Sequence, residues 1–218
     1  MKINIRVASL DDVEGIVQVY CSGIDRWARH TNAGAVEVDY DDLSVAERFG
    51  HGGPWMSVET CAIHLNNLLT NGQYPLIAEL NGRIVGEAEI YVCSEKDFLE
   101  KYCYIDVLEV HKVFRRRGVG KSLINKAIEL AHEKGCEAVA VWPAKEAVDF
   151  YRKSGFDTAL VNIIHLEIDL KNTEPYGSNL EVKPPPLQLR HSPKHDSYIF
   201  KDILLTLHLP KEQVEVCL

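Results

Sequence analysis

The sequence has no apolar run approaching the roughly 20 residues that cross a bilayer, and no C-x-x-C pair. The first absence leaves no candidate membrane span. The second leaves six cysteines, at 21, 61, 93, 103, 136 and 218, whose spacing fits no zinc template. No metal site is expected. An excess of basic residues is missing too. Lys plus Arg total 24 against 32 Asp plus Glu, a formal net charge of -8. General nucleic-acid binding runs on phosphate neutralisation, so no nucleic-acid partner is expected, although a local basic pocket is still allowed. The opening Met1-Lys2-Ile3-Asn4-Ile5-Arg6 runs directly into an alternating pattern, without a long apolar signal region. The expectation is a cytoplasmic protein with reduced, mostly buried thiols and no membrane partner.

An apolar fraction of 46% and a charged fraction of 26% are ordinary for a folded domain, and 218 residues can bury a sizeable core. Ile3, Ile5 and Val7 alternate with polar residues and predict a first strand. Asp11 and Asp12 precede Val13, Ile16, Val17 and Tyr20 at helical spacing. Between 23 and 55 the pattern weakens, and short helices and loops are expected. Val58, Cys61, Ala62, Leu65, Leu68 and Leu69 then repeat at three and four residues, an amphipathic helix ended by Asn71-Gly72. Two apolar runs joined by Asn81-Gly82 predict a hairpin. A strand follows over 102–110, then a helix marked by Val119, Leu123, Ile124, Ala127, Ile128 and Ala131. After it come a buried-type strand over 138–142 and a helix over 144–154 opened by Pro143. Strand-like runs occur at 160–170 and 197–209, separated by an extended Lys183-Pro184-Pro185-Pro186 connector. This order describes a mixed α/β domain with a largely antiparallel sheet and one strand–helix–strand crossover.

The segment 104–130 carries the sharpest chemical signal. A strand leads into Arg115-Arg116-Arg117-Gly118-Val119-Gly120-Lys121-Ser122 and then directly into a helix. A helix start leaves backbone N–H groups unpaired and carries partial positive charge. Glycines let a bulky anion approach the backbone. Together they make a cradle suited to a pyrophosphate, with arginines adding attraction for a polyanion. Two rival motifs fail on spacing. The nucleoside-triphosphate loop needs a glycine five before Gly120, where Arg115 stands. The dinucleotide fingerprint needs a glycine at 123, where Leu123 stands.

These residues resemble the GNAT acyltransferase superfamily, whose signature is Arg/Gln-x-x-Gly-x-Gly/Ala after a strand; here Arg115, Gly118 and Gly120 fill it. A second signature, a helix with an aromatic-Tyr pair followed by Gly-Phe, is matched by Phe150-Tyr151 and Gly155-Phe156. The resemblance is strong over 76–156 and does not cover 23–55. It implies a mostly antiparallel central sheet flanked by helices. The chain then divides into an acyltransferase domain at 1–170 and a C-terminal extension at 171–218, an extra strand or an interaction and dimerisation arm. A homodimer is implied only by the habit of the family.

The resemblance further implies that acetyl-CoA is the co-substrate, lying where the 105–110 and 138–142 strands splay apart. Leu108 and Val110 would offer backbone contacts to pantetheine, with the Leu108 N–H as oxyanion donor. Backbone N–H groups of Arg115, Arg116, Arg117, Gly118, Val119, Gly120, Lys121 and Ser122 would hold the pyrophosphate. Tyr151 is the expected partner of the leaving sulfur, against the alternative of a core tyrosine in an apolar stripe. An amine nucleophile must lose a proton, so a base is required. Period two puts Tyr104, Asp106, Leu108 and Val110 on one face, and Asp106 is the first candidate base. Glu87 and Glu89 are rivals, each open to the reading of an exposed or salt-bridged strand residue. Cys103 as an acylated nucleophile lacks any activating neighbour in sequence. Ala144 stands where many relatives carry an Asn that contacts pantetheine, and Lys112 where a proline is frequent. Trp27, Trp55, His30 and His51 fall where acceptor-binding elements usually lie. The acceptor is a small-molecule amine or a protein amino group. The alternative is a noncatalytic acyl-CoA-binding sensor or interaction module on the same fold.

Overall fold

The computed structural model describes residues 3–95, 99–160 and 203–208. A seven-stranded sheet runs in the order β1-β4-β5-β6-β7-β9-β8. Its strands are β1 (Asn4–Val7), β4 (Tyr74–Leu80), β5 (Arg83–Glu95), β6 (Leu99–Val110), β7 (Ala138–Val141), β8 (Asp157–Leu160) and β9 (Ile203–His208). Among the described residues the β6–β7 pair is parallel and every other pair in the sheet is antiparallel. The β4–β5 turn is the expected Asn81-Gly82, with φ of 51° and 76°. Two successive positive φ values match the right-handed twist of the strands.

The parallel pair needs a crossover, and α4 (Val119–Glu133) supplies it. Its apolar residues at three- and four-residue spacing (Val119, Leu123, Ile124, Ala127, Leu130, Ala131) are all buried against Ile90, Ile105 and Val139 of the sheet. The opposite face is covered by α1 (Val13–Cys21) and α3 (Val58–Thr70), whose Ile16, Val19, Tyr20, Cys61 and Leu65 pack on Ile77. A truncation such as Leu123→Ala in the first core costs about 2–5 kcal/mol.

The region 23–55 departs from expectation. It holds a two-stranded hairpin, β2 (Ala28–Thr31) with β3 (Gly34–Glu37), then α2 (Val45–Gly50). Most of the hairpin is exposed, so no apolar alternation marked it in the sequence. Its turn is held by Thr31, whose Oγ1 accepts from Ala33 N and donates to Gly34 O. Helix α2 opens on a Ser44/Glu47 capping box. The last predicted helix is shorter than expected: a 3-10 turn (Lys145–Ala147) leads into α5 (Val148–Lys153). The connector at 183–186 and the run 161–170 lie outside the described residues. Part of the predicted run 197–209 is β9, which sits inside the sheet between β7 and β8.

Candidate active site

Pairing between β6 and β7 extends from Tyr102↔Ala138 to Ile105↔Val141 and stops there, while β6 continues to Val110. The edge of β6 beyond Ile105 is therefore not covered by β7. Val110 shows which groups face that edge. Its N–H donates to the Glu109 carboxylate at 3.0 Å, and its carbonyl accepts from Arg115 Nε at 3.0 Å. The next residue, His111, donates its N–H the other way, to Val85 O on the β5 side. Backbone groups alternate in direction along a strand, so the Leu108 N–H and C=O face the same uncovered edge as those of Val110.

Arg115 closes this end of the strand. Its second guanidinium nitrogen bonds Glu109 at 2.8 Å. The turn that follows uses two left-handed residues, Arg116 at φ 62° and Gly118 at φ 86°. Gly118 is the N-cap of α4 and offers no side-chain cap; the first turn carries no acid. Ser122 N donates to Gly118 O, the first bond of the helix, so the N–H groups of Val119, Gly120 and Lys121 have no intrahelical partner. The two glycines serve different ends. A Cβ at Gly118 would meet nothing within 4 Å, but the backbone there is left-handed. A Cβ at Gly120 would lie 3.0 Å from Phe150 Cζ, so this glycine lets α4 approach the aromatic residue of α5. The loop after α1 is tied to the same turn: Lys112 N donates to Ser22 Oγ at 2.9 Å, and Lys112 Nζ to Asp25.

The face expected for Tyr104, Asp106, Leu108 and Val110 requires correction. The β5–β6 register runs Glu89↔Val107, then Ile90↔Ile105, leaving Asp106 as the extra residue of a β-bulge. Leu108 and Val110 consequently pack on the α4 side with Cys103 and Ile105. Val107 packs on the α1/α3 side. Asp106 stays exposed and within electrostatic reach of Glu89 and His64.

The two carboxylates of β5 are neither exposed nor simple surface ion pairs. Glu87 and Glu89 are each 1% exposed. Tyr20 donates its hydroxyl to Glu87 at 2.5 Å. Glu89 Oε1 accepts from Trp55 Nε1 at 2.8 Å and lies 2.8 Å from His64 Nε2. Its second oxygen, Oε2, is buried and has no partner among the described residues. The rings of Tyr20 and Trp55 stack at 4.8 Å and roof the pair. Burial, with the neighbouring Glu89 charge adding to it, pushes Glu87 well above the ordinary carboxylate range. Burial also raises Asp106, again with help from Glu89; bonding to Tyr104 and the charge of His64 pull the other way.

Tyr151 is buried between Phe150 and Phe156, with ring centroids at 5.1 and 5.4 Å. Burial pushes its phenol up to about 12. Tyr104 bridges the two halves of the site: it bonds Asp106 and acts electrostatically on Tyr151. Cys103 is fully buried on the α4 side, 3.6 Å from Cys136 Sγ, which removes it from the nucleophile role. Of the loop aromatics, Trp55 reaches Glu89, whereas Trp27 packs on Tyr40 and His51. His64 went unread in the sequence. It lies three residues after Cys61 and four before Leu68, a polar residue on the buried stripe of α3, and that interruption was its available signal. Among the described residues no helix is long and apolar enough to cross a membrane.

A family model described as the acetyltransferase (GNAT) family matches residues 28–156, more than half of the 218-residue chain. An uncharacterized N-acetyltransferase of Methanocaldococcus jannaschii is 35% identical over 89 residues, 37% of this chain and 38% of that protein. The chain thus spans well under half the length of that relative. Among solved structures, PaiA N-acetyltransferase from Thermoplasma acidophilum in complex with coenzyme A has a TM-score of 0.56 at 15% identity. The match covers 96% of this chain and all of that one. Glucosamine-6-phosphate N-acetyltransferase from Arabidopsis thaliana has a TM-score of 0.52 at 16% identity, covering 76% and 99%. At these identities the structural likeness speaks to the fold. With the uncapped turn, the short parallel β6–β7 pairing and the aromatic helix α5 all inside the matched span, the chain belongs to the GNAT acetyltransferase family.

Proposed function

We propose that this chain is an N-acetyltransferase that moves the acetyl group of acetyl-CoA directly to an amine. The observation that carries the reading is the juxtaposition of an uncapped helix start, at 119–121, with an uncovered strand edge at Leu108 and Val110. A diphosphate fits the first, because three N–H groups and the helix dipole converge there. Arg116 and Arg117 add positive charge at the same corner. An extended amide-bearing arm fits the second, because it can pair with the edge as an added strand. The arm would take the place of the Arg115 and Glu109 side chains that now bond Val110. Coenzyme A combines these two chemistries in one molecule.

The groups then divide the work. The Leu108 N–H donates to the thioester carbonyl oxygen as negative charge develops there. Asp106 accepts the proton of the amine; its raised basicity suits that task, and Glu89 behind it sustains the effect. The amine nitrogen bonds the carbonyl carbon, the carbon–sulfur bond breaks, and Tyr151 donates a hydrogen bond to the departing sulfur. A phenol held near 12 stays protonated throughout the neutral range. The 1–170 region is proposed as the acyltransferase domain; from the region beyond it, β9 adds a strand to the same sheet.

A thiol-release assay tests this. Free CoA should appear from acetyl-CoA only when an amine is supplied, and the signal should vanish in Gly120→Asp, which forces a carboxylate against Phe150 in the first turn of α4 and so distorts the cradle. Binding of acetyl-CoA without release across a broad amine panel would instead favour a sensor.

A further inference from the structure

We propose that the amine acceptor is a single-ammonium molecule whose body carries neutral hydrogen-bonding groups, and that it sits in the cavity between α3 and β5 beside Glu89. The proposal rests on the acetyltransferase reading and assigns the acceptor side of that site. The cavity is about 550 Å³ and is lined by His64, Asn67, Leu68, Asn71, Gln73 and Tyr91. Three of these, at 64, 67 and 68, form one stripe of α3, which the C-cap residue Asn71 continues at three- and four-residue spacing. The lining is joined to the chemistry through His64, whose Nε2 is 2.8 Å from Glu89 Oε1. Glu89 Oε2, buried beside it and without a partner among the described residues, is a polar atom that calls for one.

The lining selects by what it holds. Asn67, Asn71 and Gln73 supply amides, and Tyr91 a hydroxyl, for neutral donors and acceptors. Some of that capacity is spent locally: Asn71 Nδ2 donates to Asn67 O, Gln73 Nε2 to Asn71 O, and Gln73 Oε1 accepts from Val92 N. Among the described residues the Asn67 side-chain amide and Asn71 Oδ1 remain available. Negative charge lies beyond the His64 end of the cavity, where Glu89 is bonded to His64 and the exposed Asp106 is within electrostatic reach of both. Among the described residues no Asp or Glu lines the rest, so a second ammonium finds no counter-charge from them. Among the described residues no Lys or Arg lines it either, so a phosphate or carboxylate on the acceptor finds no partner cation from them. Specificity of this kind works by leaving the wrong partner's charge unpaired.

The experiment is a thiol-release comparison of four probes with acetyl-CoA: glucosamine, glucosamine-6-phosphate, 1,4-diaminobutane and hexylamine. Glucosamine should give a kcat/KM at least about tenfold above each of the others, the scale of a lost or unpaired polar contact. In Asn67→Leu, an exposed helix position where folding is safe, the glucosamine KM should rise about tenfold. The acetyl-CoA KM should not change. Tyr91→Phe should move the same constant in the same direction. Preference for the phosphate, the diamine or the alkylamine overturns the assignment. So does an unchanged acceptor KM in both variants, or turnover of none of the probes. Calorimetric titration with acetyl-CoA alone separates the two levels: absence of binding there defeats the acetyltransferase reading itself, whereas binding with the wrong amine preference defeats only the cavity assignment.

Discussion

Trp55 donates its indole N–H to Glu89 at 2.8 Å, tying the segment before α3 to a carboxylate that is 1% exposed in the middle of the sheet. The bond fixes one oxygen of Glu89 and leaves its charge behind Asp106, the more accessible acid. In the proposed mechanism two acids in series then divide the roles, Asp106 touching substrate and Glu89 tuning it.

The pH dependence of turnover should report this series. In the proposed mechanism Asp106 must be ionised to accept a proton, so activity should fall as pH drops through its raised pKa. Glu89 raises that pKa, while Tyr104 and a charged His64 lower it. Glu89→Gln removes a raising influence, so the acid limb of kcat should shift to lower pH. Asp106→Asn should cut kcat by about 10²-fold and abolish that limb. An acid limb that stays in place in both variants would assign the proton elsewhere.

Tyr151→Phe keeps the packing against Phe150 and Phe156 and removes only the hydroxyl. Turnover should fall about 10-fold to 100-fold, while the acetyl-CoA dissociation constant changes little. An unchanged kcat excludes the phenol from leaving-group stabilisation and makes Tyr151 a packing residue.

Much of this was legible in the sequence because the signals were local. Arg115, Gly118 and Gly120 lie within six residues, and Asn81-Gly82 specifies a hairpin by itself. The bulge at Asp106 was not legible. A bulge is a mismatch between two strands, and one strand's alternation does not reveal its partner's count. The burial of Glu87 and Glu89 was hidden for a related reason. Strict alternation on β5 marks them as facing away from the α4 core, which reads as solvent until α1, α3 and Trp55 cover that face. His64 needed the same tertiary context.

Gly118→Ala should test the turn independently of ligand. Nothing lies within 4 Å of the added Cβ, so the cost is conformational, from φ 86°. About 1–2 kcal/mol of stability should be lost, a drop in Tm of roughly 2–8 °C. Gly118→Asn should recover part of it, because Asn tolerates the left-handed region. Equal Tm for all three forms would mean the turn relaxes at no cost.

At the other end of the sheet, Arg6 donates two bonds of 2.7 Å to Asp12, whose side chain is 8% exposed. The Arg6 contact, against the opposing effect of burial, holds the Asp12 pKa below its usual 3.8; Ser9 helps. A depressed carboxylate stabilises the fold above its unfolded pKa and loses that contribution as pH falls through the folded one. Asp12→Asn should therefore cost about 1 kcal/mol near pH 7, with Arg6 partly solvated. The difference from wild type, read from denaturant midpoints, should shrink below about pH 4. A difference independent of pH would assign the effect to the capping geometry instead of the ion pair.

The most direct measurement is calorimetric titration of the folded protein with coenzyme A, alongside Gly120→Asp. The proposed grip of the 119–121 amides on the diphosphate predicts saturable heat for the wild type and its loss in a variant whose melting curve still shows a folded protein. No heat with the wild type, or equal heat with both, would contradict it.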